Sequence, residues 1–141
     1  MKSVKVRDYM ATRLVTFKPD THVTEAMDQL LKHRISGAPV VDDDGRMVGI
    51  LSEVDLIQVI VQDSYYDESV GIVADYMQES VETIDADMDI YTLAEKFFAE
   101  HRRRFPVTSR GKLVGQISRR DVLRAAEEFL HKDKKHKFRR A

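Results

Sequence analysis

The 141-residue chain contains no cysteine and only three prolines and six glycines. Without cysteine it can form no disulfide, no thiol nucleophile and no cysteine-based metal site. No apolar run approaches the roughly 20 residues that a membrane helix needs, and residues 1–6 lack the apolar core of a signal peptide. We therefore expect a cytoplasmic protein with no membrane partner.

Charge is spread unevenly along the chain. The formal net charge is −1, yet residues 131–141 hold six Lys and Arg against a single Asp, so this tail is +5 and residues 1–130 are −6. We expect the basic tail to be disordered or an exposed helix end. The tail could contact nucleic acid, but the acidic body opposes such binding, so we expect no nucleic-acid partner.

The chain repeats itself. An offset of 67 pairs the segment Val-x-Asp-Tyr-Met at 6–10 with the same pattern at 73–77, and an offset of 66 pairs Gly-x-x-Ser-x-x-Asp at 49–55 with its copy at 115–121. A match this long, with one residue lost in a turn, indicates a tandem duplication. We assign repeat 1 to residues 1–62, a linker to 63–71 and repeat 2 to 72–130.

Each repeat has the pattern of strand, helix, strand, strand and helix. The fold class is therefore α/β, or more strictly α+β, with two β-α-β-β-α repeats packed pseudo-symmetrically. In the first helix of each repeat, apolar residues fall at helical spacing on one face: Val23, Ala26, Met27, Leu30 and Leu31 in repeat 1, and Ile90, Leu93, Ala94, Phe97 and Phe98 in repeat 2. Both helices of each repeat offer more apolar positions than one module can bury, which favours association. A single repeat is marginal in size, so we predict one domain with a shared core.

The repeated Gly-x-x-Ser-x-x-Asp segment is the chemical focus of each repeat. One interpretation is a capping box that starts a helix. The other is a ligand site: the glycine would let a ligand approach the backbone, the helix start would favour an anion, and the aspartate would accept from a ribose diol. The two interpretations are compatible, because one carboxylate oxygen can cap while the other binds.

The order of elements and the duplicated motifs resemble the cystathionine-β-synthase (CBS) domain, and the pair resembles a Bateman module. Ala38-Pro39-Val40-Val41-Asp42 also matches the family, while repeat 2 departs there with Phe105-Pro106-Val107-Thr108-Ser109. The resemblance implies a regulatory, energy-sensing type of module without catalysis or a catalytic cofactor. It would bind AMP, ADP, ATP or S-adenosylmethionine in clefts between the repeats, form a homodimer and act on an unidentified protein partner.

The resemblance also implies two sets of binding residues. One site would hold Ser118 and Asp121 with Thr16, Ser36, Gly37 and Ala38; the other would hold Ser52 and Asp55 with Thr83, Arg103, Arg104 and Phe105. The two threonines could equally be ordinary strand residues. Arg102–Arg104 could be a solvated helix end, but arginine suits phosphate, so we predict that the Asp55 site prefers phosphorylated ligands. Arg119 and Arg120, beside Asp121, are the alternative phosphate ligands.

Other chemistry is not indicated. His33 and His101 are not at equivalent positions, and His131 and His136 share no helix face, so we expect no metal site. No catalytic triad, phosphate loop or zinc spacing is present, so we expect no enzyme. The alternative to a ligand sensor is a ligand-free dimerisation or scaffold module.

Overall fold

The described part of the chain has a short 3-10 turn near its start and a long helix at its end. The computed structural model describes residues 4–66 and 71–140, with side chains for 4–62 and 71–130. Short 3-10 turns lie at Val6–Asp8 and Val73–Asp75, and the regular elements are α1 (Val23–His33), β1 (Gly37–Val41), β2 (Met47–Ser52), α2 (Glu53–Tyr66), β3 (Ile84–Asp85), α3 (Ile90–Glu100), β4 (Arg104–Ser109), β5 (Lys112–Ser118) and α4 (Arg119–Arg140). The predicted α+β order is confirmed, with the first strand of repeat 1 reduced to a bridge between Phe17 and Val40.

The described chain divides into two compact units. The first unit contains Arg13–Glu82 with Arg110–Leu113, and the second contains Thr83–Ser109, the chain from Val114 onward and the N-terminal segment that ends at Thr12. The sequence predicts one core shared by both repeats, whereas each unit has an apolar core of its own. The units also cut across the repeats, because each contains the Val-x-Asp-Tyr-Met segment of the other repeat.

These exchanged segments complete the two cores. We call residues 6–11 the first lead-in and residues 73–78 the second lead-in. Val6 of the first lead-in is fully buried in the second unit, and Val73 of the second lead-in is fully buried in the first unit. Backbone bonds fix both, as the Val6 N–H donates to the Met88 carbonyl at 2.9 Å and the Val73 N–H donates to the Thr21 carbonyl at 2.8 Å. The repeated motif is therefore a docking segment that each unit requires.

Equivalent tyrosines tie the lead-ins to the last helix of each unit. The Tyr9 hydroxyl donates to Glu128 of α4 at 3.0 Å, and the Tyr76 hydroxyl donates to Gln62 of α2 at 3.0 Å. Burial, and then the hydrogen bond to Glu128, raise the pKa of Tyr9. The second tyrosine has a neutral partner instead, so the two docked segments share a geometry but differ in charge.

In the first unit, an antiparallel hairpin carries the strand that leads into α2. Strands β1 and β2 pair in a register that sets Gly37 opposite Ser52. The Asp42 carboxylate shapes the turn by accepting from the Asp44 and Arg46 N–H groups at 2.9 Å each, and Gly45 takes the left-handed conformation at φ 81°. The core of this unit consists of Phe17, Val23, Ala26, Leu30, Ala38, Val40, Leu51, Leu56, Val59 and Val73.

In the second unit, β3 pairs in parallel with β4, and the sheet order is β3-β4-β5. Its core consists of Val6, Ile84, Ala86, Ile90, Leu93, Phe97, Phe105, Val107, Ile117, Val122 and Ala125. The backbone of α4 continues to Arg140 through the basic tail.

The predicted apolar helix faces are wider than the buried ones. Leu31 of α1 is 78% exposed and Phe98 of α3 is 87% exposed, and both belong to the apolar faces that the helical spacing marks. A unit of this size buries a narrow stripe of each helix, so the outer edge of the apolar face remains at the surface.

Candidate functional site

Each Gly-x-x-Ser-x-x-Asp segment folds as a reciprocal helix cap. In the first corner, at Ser52 and Asp55, the Ser52 N–H donates to Asp55 Oδ2 at 2.8 Å, and the Asp55 N–H donates to Ser52 Oγ at 3.3 Å. The Ser52 hydroxyl also donates to Asp55 Oδ2 at 2.9 Å. This is the capping-box geometry with aspartate in place of glutamate, so the capping interpretation is confirmed for the first corner.

The second corner, at Ser118 and Asp121, repeats this geometry. The Ser118 N–H donates to Asp121 Oδ2 at 2.8 Å, the Ser118 hydroxyl donates to the same oxygen at 3.0 Å, and the Asp121 N–H donates to Ser118 Oγ at 3.2 Å. In both corners Oδ2 therefore accepts two hydrogen bonds within the cap. Oδ1 is the carboxylate oxygen that remains for other partners.

Both aspartates are buried. Asp55 is 8% exposed and Asp121 is 5% exposed, and they are the two buried charged residues of the described part of the chain. A buried carboxylate is costly unless it is hydrogen-bonded, and the caps supply those bonds.

The partner of Oδ1 differs between the corners. In the first corner, the Gln78 side-chain amide, at the end of the second lead-in, donates to Asp55 Oδ1 at 3.0 Å. In the second corner, the Arg124 guanidinium, one turn further along α4, binds Asp121 Oδ1. The equivalent positions hold Ala11 in the first lead-in and Gln58 in α2, so neither partner is repeated.

The glycines of the two motifs have a structural role that sequence reasoning missed. A Cβ on Gly49 would lie 2.8 Å from Met77 Sδ and 2.9 Å from the Gln78 carbonyl, and one on Gly115 would lie 2.8 Å from the Ala11 carbonyl. The lead-ins thus occupy the space that the sequence interpretation reserved for a ligand. The repeated Met of the lead-in and the repeated Gly of the corner were the signal that could have revealed this contact.

Two of the predicted wall residues of repeat 1 lie beside the first corner. The Ser36 carbonyl accepts from the Glu53 N–H at 2.9 Å, and Gly37 pairs with Ser52 in the hairpin. Ala38 is only 1% exposed and belongs to the core, and Thr16 is exposed next to the bridge at Phe17. The resemblance assigned these four residues to the site of Asp121, which belongs to the other unit.

The equivalent residues of repeat 2 belong to the second unit. The Arg103 carbonyl accepts from the Arg119 N–H at 3.1 Å, so the arginine segment borders the start of α4. Arg104 is half-buried and begins β4. The Thr108 hydroxyl donates to that of Thr83 at 3.5 Å, a long contact at the surface.

Phe105 is a core residue. Its side chain is fully buried, and its ring centroid lies 5.0 Å from that of Phe97. The Arg102 guanidinium lies 4.7 Å and the Lys96 ammonium 5.6 Å from the same ring centroid, a cation–π arrangement. The Phe105 ring therefore packs against protein groups in the core.

The helix starts differ in charge. The first turn of α2 carries Glu53 and Asp55, whereas the start of α4 carries Arg119 and Arg120 before Asp121. With Arg124, the second corner combines three cations with one carboxylate. The first corner is therefore acidic and the second is basic.

Within residues 4–66 and 71–140, no helix has the length and apolar character that a membrane span requires. A search of the same residues finds no cluster of three or more His, Asp or Glu with the spacing of a metal site.

Comparisons with known proteins agree with this architecture. The family model described as "CBS domain" matches residues 6–62 and 73–128. The crystal structure of CBSX2 from Arabidopsis thaliana in complex with AMP superimposes with a TM-score of 0.76 at 30% identity, covering 90% of this chain and 98% of that one.

Two curated relatives are much longer than this chain. The A-adding tRNA nucleotidyltransferase of Aquifex aeolicus is 29% identical over 92% of this chain, but the match spans only 15% of its own length. The uncharacterized protein MJ1225 of Methanocaldococcus jannaschii is 27% identical over 84% of this chain and 41% of its own length. The chain thus corresponds to a minor part of both relatives.

Proposed function

The chain belongs to the CBS-domain family, as a tandem pair of CBS domains, and we propose that it is a regulatory module that binds an adenosine-containing ligand. The observation that carries this proposal is the match to CBSX2, which was crystallised with AMP and which the chain covers over 98% of its length at 30% identity. AMP, ADP and ATP are the proposed ligands, and S-adenosylmethionine is the alternative with the same ribose diol.

The corners supply a chemistry that fits such a ligand. With Oδ2 engaged in the cap, Oδ1 of Asp55 or Asp121 is placed to accept from ribose hydroxyls, as an acidic residue does in dinucleotide folds. The basic start of α4, with Arg119 and Arg120, favours a phosphate. Ser36, Gly37, Arg103 and Arg104, which border these corners or their strands, keep their proposed binding roles together with Thr16 and Thr83. Ala38 and Phe105 can contribute only backbone atoms.

A regulatory rather than catalytic role is the better proposal. The match to the tRNA nucleotidyltransferase spans 15% of that enzyme, which is the share expected of an accessory module. The two Ser–Asp pairs at the corners serve as helix caps.

We also propose that the module is a homodimer. The resemblance implies association through helices, and each unit leaves an apolar helix pair at its surface. In the first unit the groove between α1 and α2 is lined by Leu31, Ile57 and Ile60, and in the second the groove between α3 and α4 is lined by Phe98 and Leu123. These side chains are between 55% and 87% exposed, and such apolar surfaces favour association.

Calorimetric titration of the intact chain with AMP, ATP, adenosine and S-adenosylmethionine tests the ligand proposal. Asp55→Asn and Asp121→Asn keep a capping oxygen but remove the charge, and each should weaken binding at its own corner by about tenfold, the loss expected of one charge-assisted hydrogen bond.

Asp28→Asn on the exposed surface of α1 is the matched control and should bind as the parent does. If the parent chain binds none of the four ligands at millimolar concentration, the proposal fails and the ligand-free scaffold is the better function.

A further inference from the structure

We propose that Arg124 makes the second corner selective for phosphorylated ligands, whereas the first corner also accepts the uncharged nucleoside. This inference rests on the proposed function and assigns a specificity-determining residue within it. It comes from a feature that separates the two corners at the aspartate itself, which is the group bound to Oδ1.

The shared part of the geometry leaves Oδ1 as the decisive atom. In each corner Oδ2 accepts from a serine N–H and a serine hydroxyl, at distances between 2.8 and 3.0 Å. A ribose hydroxyl must therefore donate mainly to Oδ1. The side chain already bound to Oδ1 is therefore the group that a ligand must displace, or with which it must share this oxygen.

In the first corner that group is neutral. The Gln78 amide donates to Asp55 Oδ1 at 3.0 Å, and the carboxylate keeps its full negative charge. A hydroxyl that replaces the amide exchanges one neutral donor for another. Adenosine, AMP and ATP can therefore each donate a ribose hydroxyl to the Asp55 carboxylate.

In the second corner that group is a cation. The Arg124 guanidinium binds Asp121 Oδ1, while 68% of the Arg124 side chain remains exposed. A hydroxyl that takes its place gives up a charge-assisted hydrogen bond, which is about twice as strong as a neutral one. An uncharged nucleoside has nothing to offer the released guanidinium. A phosphorylated nucleotide carries its own anion, which Arg124 can bind in exchange for Asp121.

This assignment reverses the preference predicted from sequence, which placed phosphate selectivity at Asp55 through Arg103 and Arg104. Those residues lie in the second unit, where the Arg103 carbonyl accepts from the N–H of Arg119. In contrast, the first turn of α2 carries Glu53 and Asp55, which is unfavourable for a phosphate near that helix start.

The repeats themselves provide the variants. Arg124→Gln gives the second corner the residue found in repeat 1, and Gln58→Arg gives the first corner the residue found in repeat 2; both positions are exposed.

Titration of the parent chain should show about one equivalent of adenosine and about two of AMP. For Arg124→Gln we expect a second equivalent of adenosine and a roughly tenfold loss of AMP affinity at that corner. For Gln58→Arg we expect adenosine affinity to fall about tenfold while AMP is retained.

Arg120→Gln tests the competing assignment, because Arg120 is the alternative phosphate ligand and carries the same charge one turn before Arg124. If Arg120→Gln changes the ratio of AMP to adenosine affinity as much as Arg124→Gln does, general charge is responsible and the assignment to Arg124 is overturned. An unchanged ratio in Arg124→Gln, with the parent binding both ligands, overturns this inference alone. If the parent binds neither ligand, the proposed function fails as well.

Discussion

Replacing Gly49 with alanine tests the idea that this glycine accommodates the second lead-in rather than a ligand. The added Cβ would lie 2.8 Å from Met77 Sδ and 2.9 Å from the Gln78 carbonyl oxygen. The thioether can rotate away, but the carbonyl cannot, because Gln78 and Ile50 exchange two backbone hydrogen bonds of 2.9 Å each. Overpacking of this kind costs about 1–3 kcal/mol. At this chain length that corresponds to a fall in Tm of roughly 3–10 °C.

Thermal melts of the ligand-free variant measure the effect, and hydrogen exchange locates it. The Gln78 and Ile50 amides should exchange faster in Gly49→Ala, since the lead-in must move. Gly45→Ala is the contrasting variant, because its Cβ would meet no atom within 4 Å and its cost comes from φ 81° alone. That variant should lower Tm without changing the exchange of the two amides.

The opposite pattern would refute the structural role. If ligand-free Gly49→Ala melts with the parent chain but has lost affinity for AMP, the glycine serves ligand approach, as the motif by itself suggested.

Two further predictions concern charge and assembly. The hydrogen bond from Arg7, at 2.8 Å, lowers the pKa of Asp87 below its ordinary value of 3.8, so the pair stabilises the fold above that pH and loses this effect as pH falls through the lowered pKa. The melting temperatures of the parent chain and Asp87→Asn should therefore converge in acid, and a gap that persists at about pH 2 would contradict the assignment. Light scattering of the parent protein should give twice the chain mass of 16.3 kDa. The double variant Phe98→Glu with Leu31→Glu should have half that measured mass, because both side chains are exposed on apolar helix faces. A parent protein that already has the mass of one copy would exclude the homodimer.

The duplication in the sequence was enough to predict most of the fold and the hydrogen bonding within the two corners. Equivalent residues in two copies must form equivalent elements, so the offset of 67 and then 66 was enough to indicate the β-α-β-β-α order. The capping box could also be predicted from the sequence. In each corner the serine and the aspartate are three residues apart, so local backbone geometry is enough to bring them into hydrogen-bonding contact.

Contacts between distant residues were decided only by the tertiary structure. Repetition shows that Val6 and Val73 are equivalent, but it cannot show which unit each one completes, since either core would accept a valine. The helical spacing of α1 and α3 marks an apolar face without giving its buried width, so only the structure shows that Leu31 and Phe98 lie at the surface.

The side chain that binds Oδ1 of Asp55 is the clearest contact that the sequence could not predict. Gln78 reaches Asp55 from 23 residues away along the chain, through a lead-in whose course depends on its docking. The sequence by itself therefore determined the two caps, through local spacing. The tertiary structure decided the partner of Asp55, because long-range packing brings Gln78 to that carboxylate oxygen.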